Sequence, residues 1–202
     1  MQQRDFTKHV QEENLVMKLT LREMILVAFF AALTAVGGFI KIPTPIVPYT
    51  LQFVFCAYSG LLLGARKGLY SQAIYISIGL IGIPVFVNGG GPSYVLQPTF
   101  GYLIGFGICA YTVGKLTEIY AEKLTFIKIF GAVLLGLFFV YLVGVGYLYA
   151  IVNLYLHKDM AILKAIAVGF TPYIIPDIFW CIIIAYTGVK IIPILRRLNL
   201  RA

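Results

Sequence analysis

The chain has 202 residues, of which 60% are apolar, 15% aromatic and 12% charged, with a mean hydropathy of +0.92 and a net charge of +8. An ordinary soluble domain carries roughly 25% charged residues, so these values exclude a water-facing globular protein. Apolar runs near the ~20 residues needed to cross a bilayer recur along the chain, and they are continuous rather than alternating, which excludes a β-barrel.

Residues 1–22 read as a polar, mixed-charge cytoplasmic tail ending where Arg22 and Glu23 meet the membrane. Such a tail ahead of a full-length apolar run does not fit a cleaved signal peptide. A first span is expected over 24–40. KIPTPIVPYTLQ follows at 41–52, where Pro43, Pro45 and Pro48 hold the chain extended. A short second span, 50–63, ends in the basic turn Gly64-Ala65-Arg66-Lys67-Gly68, and a third covers 69–86. The uncharged stretch PVFVNGGGPSYVLQPTFGY (84–102) comes next, with the fourth span opening at Pro98 and running to 113. The fifth, 129–156, is long enough to tilt or overhang the membrane. A short helix over 161–170 breaks at Thr171-Pro172, before a sixth span at 174–195.

The fold class expected is therefore an all-α integral membrane protein with six transmembrane helices in one bundle. A membrane domain over 23–198 is followed by a short C-terminal tail, 199–202. With both termini in the cytoplasm, only Lys41, Lys158 and Lys164 of the 16 lysines and arginines fall outside. That bias is what the positive-inside rule demands. The net charge is then a topology signal whose partner is the lipid bilayer, with no nucleic acid implied. The 84–102 stretch falls at the outer face of a cell membrane.

Few residues are equipped for chemistry. Asp177 is the one acidic residue inside an apolar segment. A carboxylate there costs roughly 2.5–3.5 kcal/mol at mid-membrane on insertion scales, which argues for a partner or ligand. The plainer reading is a first-turn aspartate beside Pro176, exposed at the surface. The stretch around Gly89, Gly90 and Gly91 is either a short outer turn or half of a polar pocket, and Asp177 lies at the same level on the same side. Ala28 and Ala32 stack on one face of the first span, as do Ala31 and Ala35. Small residues so spaced permit close helix approach, within the bundle or against a separate protein. Cys56, Cys109 and Cys181 read as buried thiols without metal or disulfide spacing, and neither His9 nor His157 suggests a site. No Walker-type phosphate loop, HExxH or nucleophile elbow occurs, and no cofactor or metal site is expected.

VPYTLQ (47–52), LLLGARKG (61–68), GIPVF (82–86), the glycine run, PTFGYLIGF (98–106) and the Pro-Asp of the sixth span together resemble the BioY family. Members are biotin-specific substrate-binding (S) components of energy-coupling factor (ECF) transporters. The resemblance runs from about residue 19 to 195 and implies a non-catalytic vitamin-binding subunit with an outward pocket closed by its 1–2 and 3–4 connections. It also implies, as partners, a transmembrane coupling protein and two cytoplasmic ATPases. Asn88 and Asp177 match positions that bind the ureido ring of biotin, and Ala28 and Ala32 match the motif that meets the coupling protein. Relatives often place a basic residue near the glycine loop and a lysine three residues after the span-six aspartate, to meet the biotin carboxylate. Here the loop has none and the later position is Trp180. The carboxylate then falls to Gln97, the Tyr94 hydroxyl or the N–H groups of Gly89, Gly90 and Gly91, or the vitamin is another ring-bearing compound such as lipoate. Two further readings are a small intramembrane enzyme using Asp177 as acid or base, and a carrier working without an ATPase.

Overall fold

The computed structural model describes residues 19–197 except Pro45. The predicted tail 1–22, apart from its last four residues, and the C-terminal tail 199–202 lie outside the described residues. Seven α-helices form among those described. Helix α1 (Leu21–Phe39) opens on a capping box: Glu23 N–H donates to the Thr20 hydroxyl at 3.3 Å, and Thr20 N–H donates to the Glu23 carboxylate at 2.8 Å. The other Glu23 oxygen meets the Lys67 ammonium at 2.6 Å, tying α1 to α3 (Ala65–Ile81).

The 1–2 connection is more than proline-extended chain. Strands β1 (Lys41–Ile42) and β2 (Tyr49–Thr50) pair antiparallel, with Lys41 opposite Thr50. Helix α2 (Gln52–Leu63) follows. The expected five-residue basic turn is a single residue instead. Gly64 turns the chain at φ 87° and α3 starts at once, so Arg66 and Lys67 stand on its first turn. A side chain from elsewhere makes this possible: the Glu118 carboxylate accepts the otherwise orphaned Ala65 N–H at 2.7 Å.

Helix α3 stops at Ile81, short of the expected 86, because Gly82 takes the left-handed conformation and caps it. A 3₁₀ turn (Pro92–Leu96) leads to α4 (Phe100–Ile119), which begins two residues after Pro98 and outlasts the expected span. Helix α5 (Phe126–Ala150) continues through a π-turn (Ile151–Tyr155); α6 (Ile162–Gly169) and α7 (Ile174–Arg197) complete the chain. By length and composition, Leu21–Phe39, Phe126–Tyr155 and Ile174–Leu195 are each able to cross a membrane. Their outward faces carry Ile25, Phe29, Phe138, Leu142, Phe179 and Ile182, all exposed. Such a surface suits lipid.

Helix α4 sits centrally, packed on α2, α3 and α5. Glycines set these approaches. A Cβ on Gly60 of α2 would collide with the Ala110 backbone of α4, and one on Gly114 of α4 with the Ala65 backbone of α3. Backbones this close gain dispersion contacts, the main attraction available between helices in lipid. Buried Gln72 of α3 stitches three helices together, its amide N–H₂ facing the hydroxyls of Thr34 and Ser59 at 3.2 Å and of Ser71 at 3.1 Å.

Candidate functional site

One end of α4, α5 and α7, together with β2 and the segment following α3, surrounds a cavity of about 570 Å³ counting its open mouth. The wall is largely aromatic, with Tyr49, Tyr94, Tyr102, Tyr141 and Tyr173 presenting rings and hydroxyls.

Asp177 carries the only charge on that wall. It sits in the first turn of α7 and is 6% exposed, so it is not the surface cap that a first-turn aspartate often is. The Tyr141 hydroxyl of α5 donates to its Oδ2 at 2.5 Å, and the Tyr49 hydroxyl lies against the same carboxylate. A desolvated carboxylate has about four acceptor sites, so with two tyrosine hydroxyls against it capacity remains for something entering the cavity. The buried Tyr49 hydroxyl has Asp177 and Trp180 as its neighbours and makes no well-aligned hydrogen bond to either.

The 1–2 connection is clamped over this site. Tyr173 donates to the Val47 carbonyl, shares a 2.9 Å hydrogen bond with the Thr44 hydroxyl, and stacks on Tyr49 with ring centroids 5.9 Å apart and planes at 7°. Gln52 is pinned from both ends: its Oε1 accepts from the Thr50 hydroxyl at 3.1 Å, and its Nε2 donates to the Tyr75 hydroxyl at 2.5 Å. Tyr75 in turn donates to the Val85 carbonyl at 3.3 Å. Hairpin, α3 and the 3–4 segment are thus joined through side chains lining or backing the cavity.

The residues singled out from the sequence divide. Asp177 and Tyr94 line the cavity, and the Tyr94 hydroxyl shares a 3.2 Å hydrogen bond with Thr99. Asn88 is exposed at the corner of a tight turn closed by reciprocal Phe86–Gly89 backbone bonds of 2.9 and 3.1 Å, while its neighbour Val87 faces the cavity. The N–H of Gly89 is used in that turn and the N–H of Gly91 donates to the Gly79 carbonyl at 2.7 Å. In this conformation the three glycines therefore do not offer a free anion nest. Their role is fit: a Cβ on Gly90 would strike the Ile83 carbonyl. Gln97 is exposed, and Trp180 is half-buried one turn beyond Asp177, edge-on to Phe179. Ala28 and Ala32 are exposed and flank a groove between α1 and α3 with Ile74 and Ile78. Sequence reasoning passed over Tyr49, Gln52, Tyr141 and Tyr173. Two of them sit in the VPYTLQ motif; the other two are tyrosines in apolar runs, with nothing local to mark them.

Comparison with known proteins places this geometry. The BioY family model matches residues 9–197. A probable biotin transporter BioY from Lysinibacillus sphaericus is 48% identical over 162 residues, covering 80% of this chain and 81% of its own length. The biotin transporter BioY of Thermotoga maritima is 36% identical over 172 residues, covering 85% and 96%. In three dimensions, the crystal structure of the S-component for biotin from an ECF-type ABC transporter aligns at a TM-score of 0.74. It is 24% identical and covers 85% of this chain and 90% of that one, which shows a shared fold.

Proposed function

The chain belongs to the BioY family, and from that premise we propose that it is the substrate-binding component of a biotin importer. The observation that carries the reading is Asp177, a buried carboxylate in a tyrosine-walled cavity with acceptor capacity to spare. The two ring N–H groups of a cyclic urea are donors matched to that acceptor, and the remaining apolar wall suits a fused ring and an aliphatic chain. Asn88, on the turn next to Val87, reaches the ring carbonyl when the 3–4 segment closes on the ligand. Gln97, Trp180 and the glycines Gly89, Gly90 and Gly91 contribute from the rim. The relatives are named as transporters, so the intramembrane enzyme reading is set aside.

The membrane arrangement follows from the same premise. All six predicted spans cross a cell membrane with both ends inside, as the lysine and arginine distribution requires. The short helices α2 and α3 cross within the bundle, shielded by longer neighbours. The membrane domain occupies 23–198. Ala28 and Ala32, exposed on α1 beside an apolar groove, form the face for the coupling protein of an ECF module with two ATPases. Ala32→Trp is expected to abolish co-purification with that protein while leaving vitamin affinity unchanged; retained co-purification would move the docking face elsewhere.

Calorimetric titration of the purified protein with biotin and with lipoate tests the substrate. Saturable heat with biotin and a much weaker response to lipoate are expected. The reverse order would replace the vitamin while sparing the class, and heat from neither would remove the reading.

A further inference from the structure

A vitamin with a carboxylate brings a second negative charge to a cavity that already holds Asp177, and no lysine or arginine lines it. The glycine-rich stretch has no base either. The fold brings one in from the other connection. Lys41, on β1, extends its ammonium to the backbone carbonyl of Val87 at 2.8 Å, across 46 positions of chain. Val87 lines the cavity, and so does Thr50, the residue paired with Lys41 in the β1–β2 ladder. The ammonium is therefore flanked by cavity-lining residues from two separate segments, one position from Asn88, while remaining exposed. Among the described residues, the ammonium groups of Lys158 and Lys164 bond to no residue of the cavity wall.

An ammonium has three donors, and the Val87 carbonyl takes one. The others are open to an anion at the mouth. Lysine suits this place: its flexible stem lets a point charge follow a carboxylate on an aliphatic chain, with no need for bidentate geometry.

We propose that Lys41 is the residue that recognises the carboxylate of the ligand, at the cavity mouth, while the polar ring lies at Asp177. This rests on the biotin reading. The basic residue that relatives place in the loop or on the last helix is supplied here by the 1–2 connection. The bond to Val87 and the bond to the ligand then act together. A carboxylate at the mouth adds an ion pair at the point where Lys41, the β1–β2 hairpin and the 86–89 turn already meet, so an acid is held more tightly than a neutral analogue.

The test is a pair of dissociation constants, for biotin and for the analogue whose carboxylate is replaced by a neutral primary amide. Both are measured calorimetrically on the wild type, Lys41→Gln and Lys41→Arg, with melting temperature as the check on folding. The wild type is expected to prefer the acid. Lys41→Gln should lose about 3–10-fold for the acid, between the strength of an exposed ion pair and that of a charged hydrogen bond, and nothing for the amide. Lys41→Arg should retain the preference. Equal losses for acid and amide would make Lys41 a latch between the two segments and overturn the assignment. So would an unchanged preference in Lys41→Gln. Binding of neither compound to the wild type would remove the biotin reading itself, and the assignment with it.

Discussion

Replacing Asp177 with alanine is expected to weaken biotin binding about 10–150-fold, the equivalent of one lost charged hydrogen bond of ~1.5–3 kcal/mol. The reason is the local account of donors and acceptors. Asp177 is buried, and Tyr141 satisfies one of its oxygens. On the proposed reading, the ligand's ring N–H groups, stripped of water on entry, take this carboxylate as their charged acceptor, since the rest of the wall is uncharged. Without it they are left unpaired in an apolar pocket, and the desolvation penalty falls on binding. Asp177→Asn keeps the shape and one acceptor oxygen, so it should lose less than Asp177→Ala.

Stability should move much less. Removing the carboxylate relieves its desolvation but leaves the buried Tyr141 hydroxyl without its acceptor, so the two effects oppose. The ligand-free Asp177→Ala protein should therefore melt close to the wild-type temperature while its affinity falls. A variant that binds biotin normally and melts normally would take Asp177 out of the site. One that loses binding and stability together would make the residue part of the bundle's frame.

Gly60→Val is expected to destabilise the bundle by about 3 kcal/mol or more, at the upper end of overpacking costs. Most overpacked positions relax by rotating a side chain, and this one has none to rotate. The atoms that a Cβ on Gly60 would meet are the backbone of Ala110, and a Cβ on Gly68 would in turn meet the Gly60 backbone. Helices α2, α3 and α4 thus close on one another at this level, and pushing α4 away also shifts the elements that present the cavity. Gly131→Ala on α5 is the control. A Cβ there meets nothing within 4 Å, and replacing a mid-helix glycine by alanine favours the helix by roughly 0.5–1 kcal/mol. Thermal unfolding in detergent, followed by loss of the monodisperse peak, should fall sharply for the first variant and hold for the second. Equal melting of the two would mean that α2 and α4 do not approach as closely as described.

Much of the candidate site can be read from the chain, though unevenly. Asp177 stands out without any structure, because a lone carboxylate in an apolar run has no cheap explanation. The glycines around Asn88 mark a place where backbone comes close to backbone. Their neighbours show the limit of that signal: Gly90 is glycine because it abuts the end of α3, and Asn88 points outward from a turn. The expected third span ran five residues too far for a related reason. Hydropathy does not register that Gly82 turns left-handed and ends the helix.

By itself, the sequence determined that this is a membrane protein, which segments are apolar enough to be helices in lipid, and that Asp177 requires a partner. These are local properties. The energy of a segment in lipid depends on its own side chains, and in lipid every backbone polar group must be satisfied, so helices follow. The tertiary structure alone decided what Asp177 meets and which segments join around the cavity. Tyr141 lies 36 positions before it, Tyr173 clamps Val47 from 126 positions away, and Lys41 reaches Val87 across 46. Hydrogen bonds between residues so far apart in the chain depend on how helices are seated against one another. That seating is set by close backbone contacts such as Gly60 on Ala110, and no local pattern of residues records it.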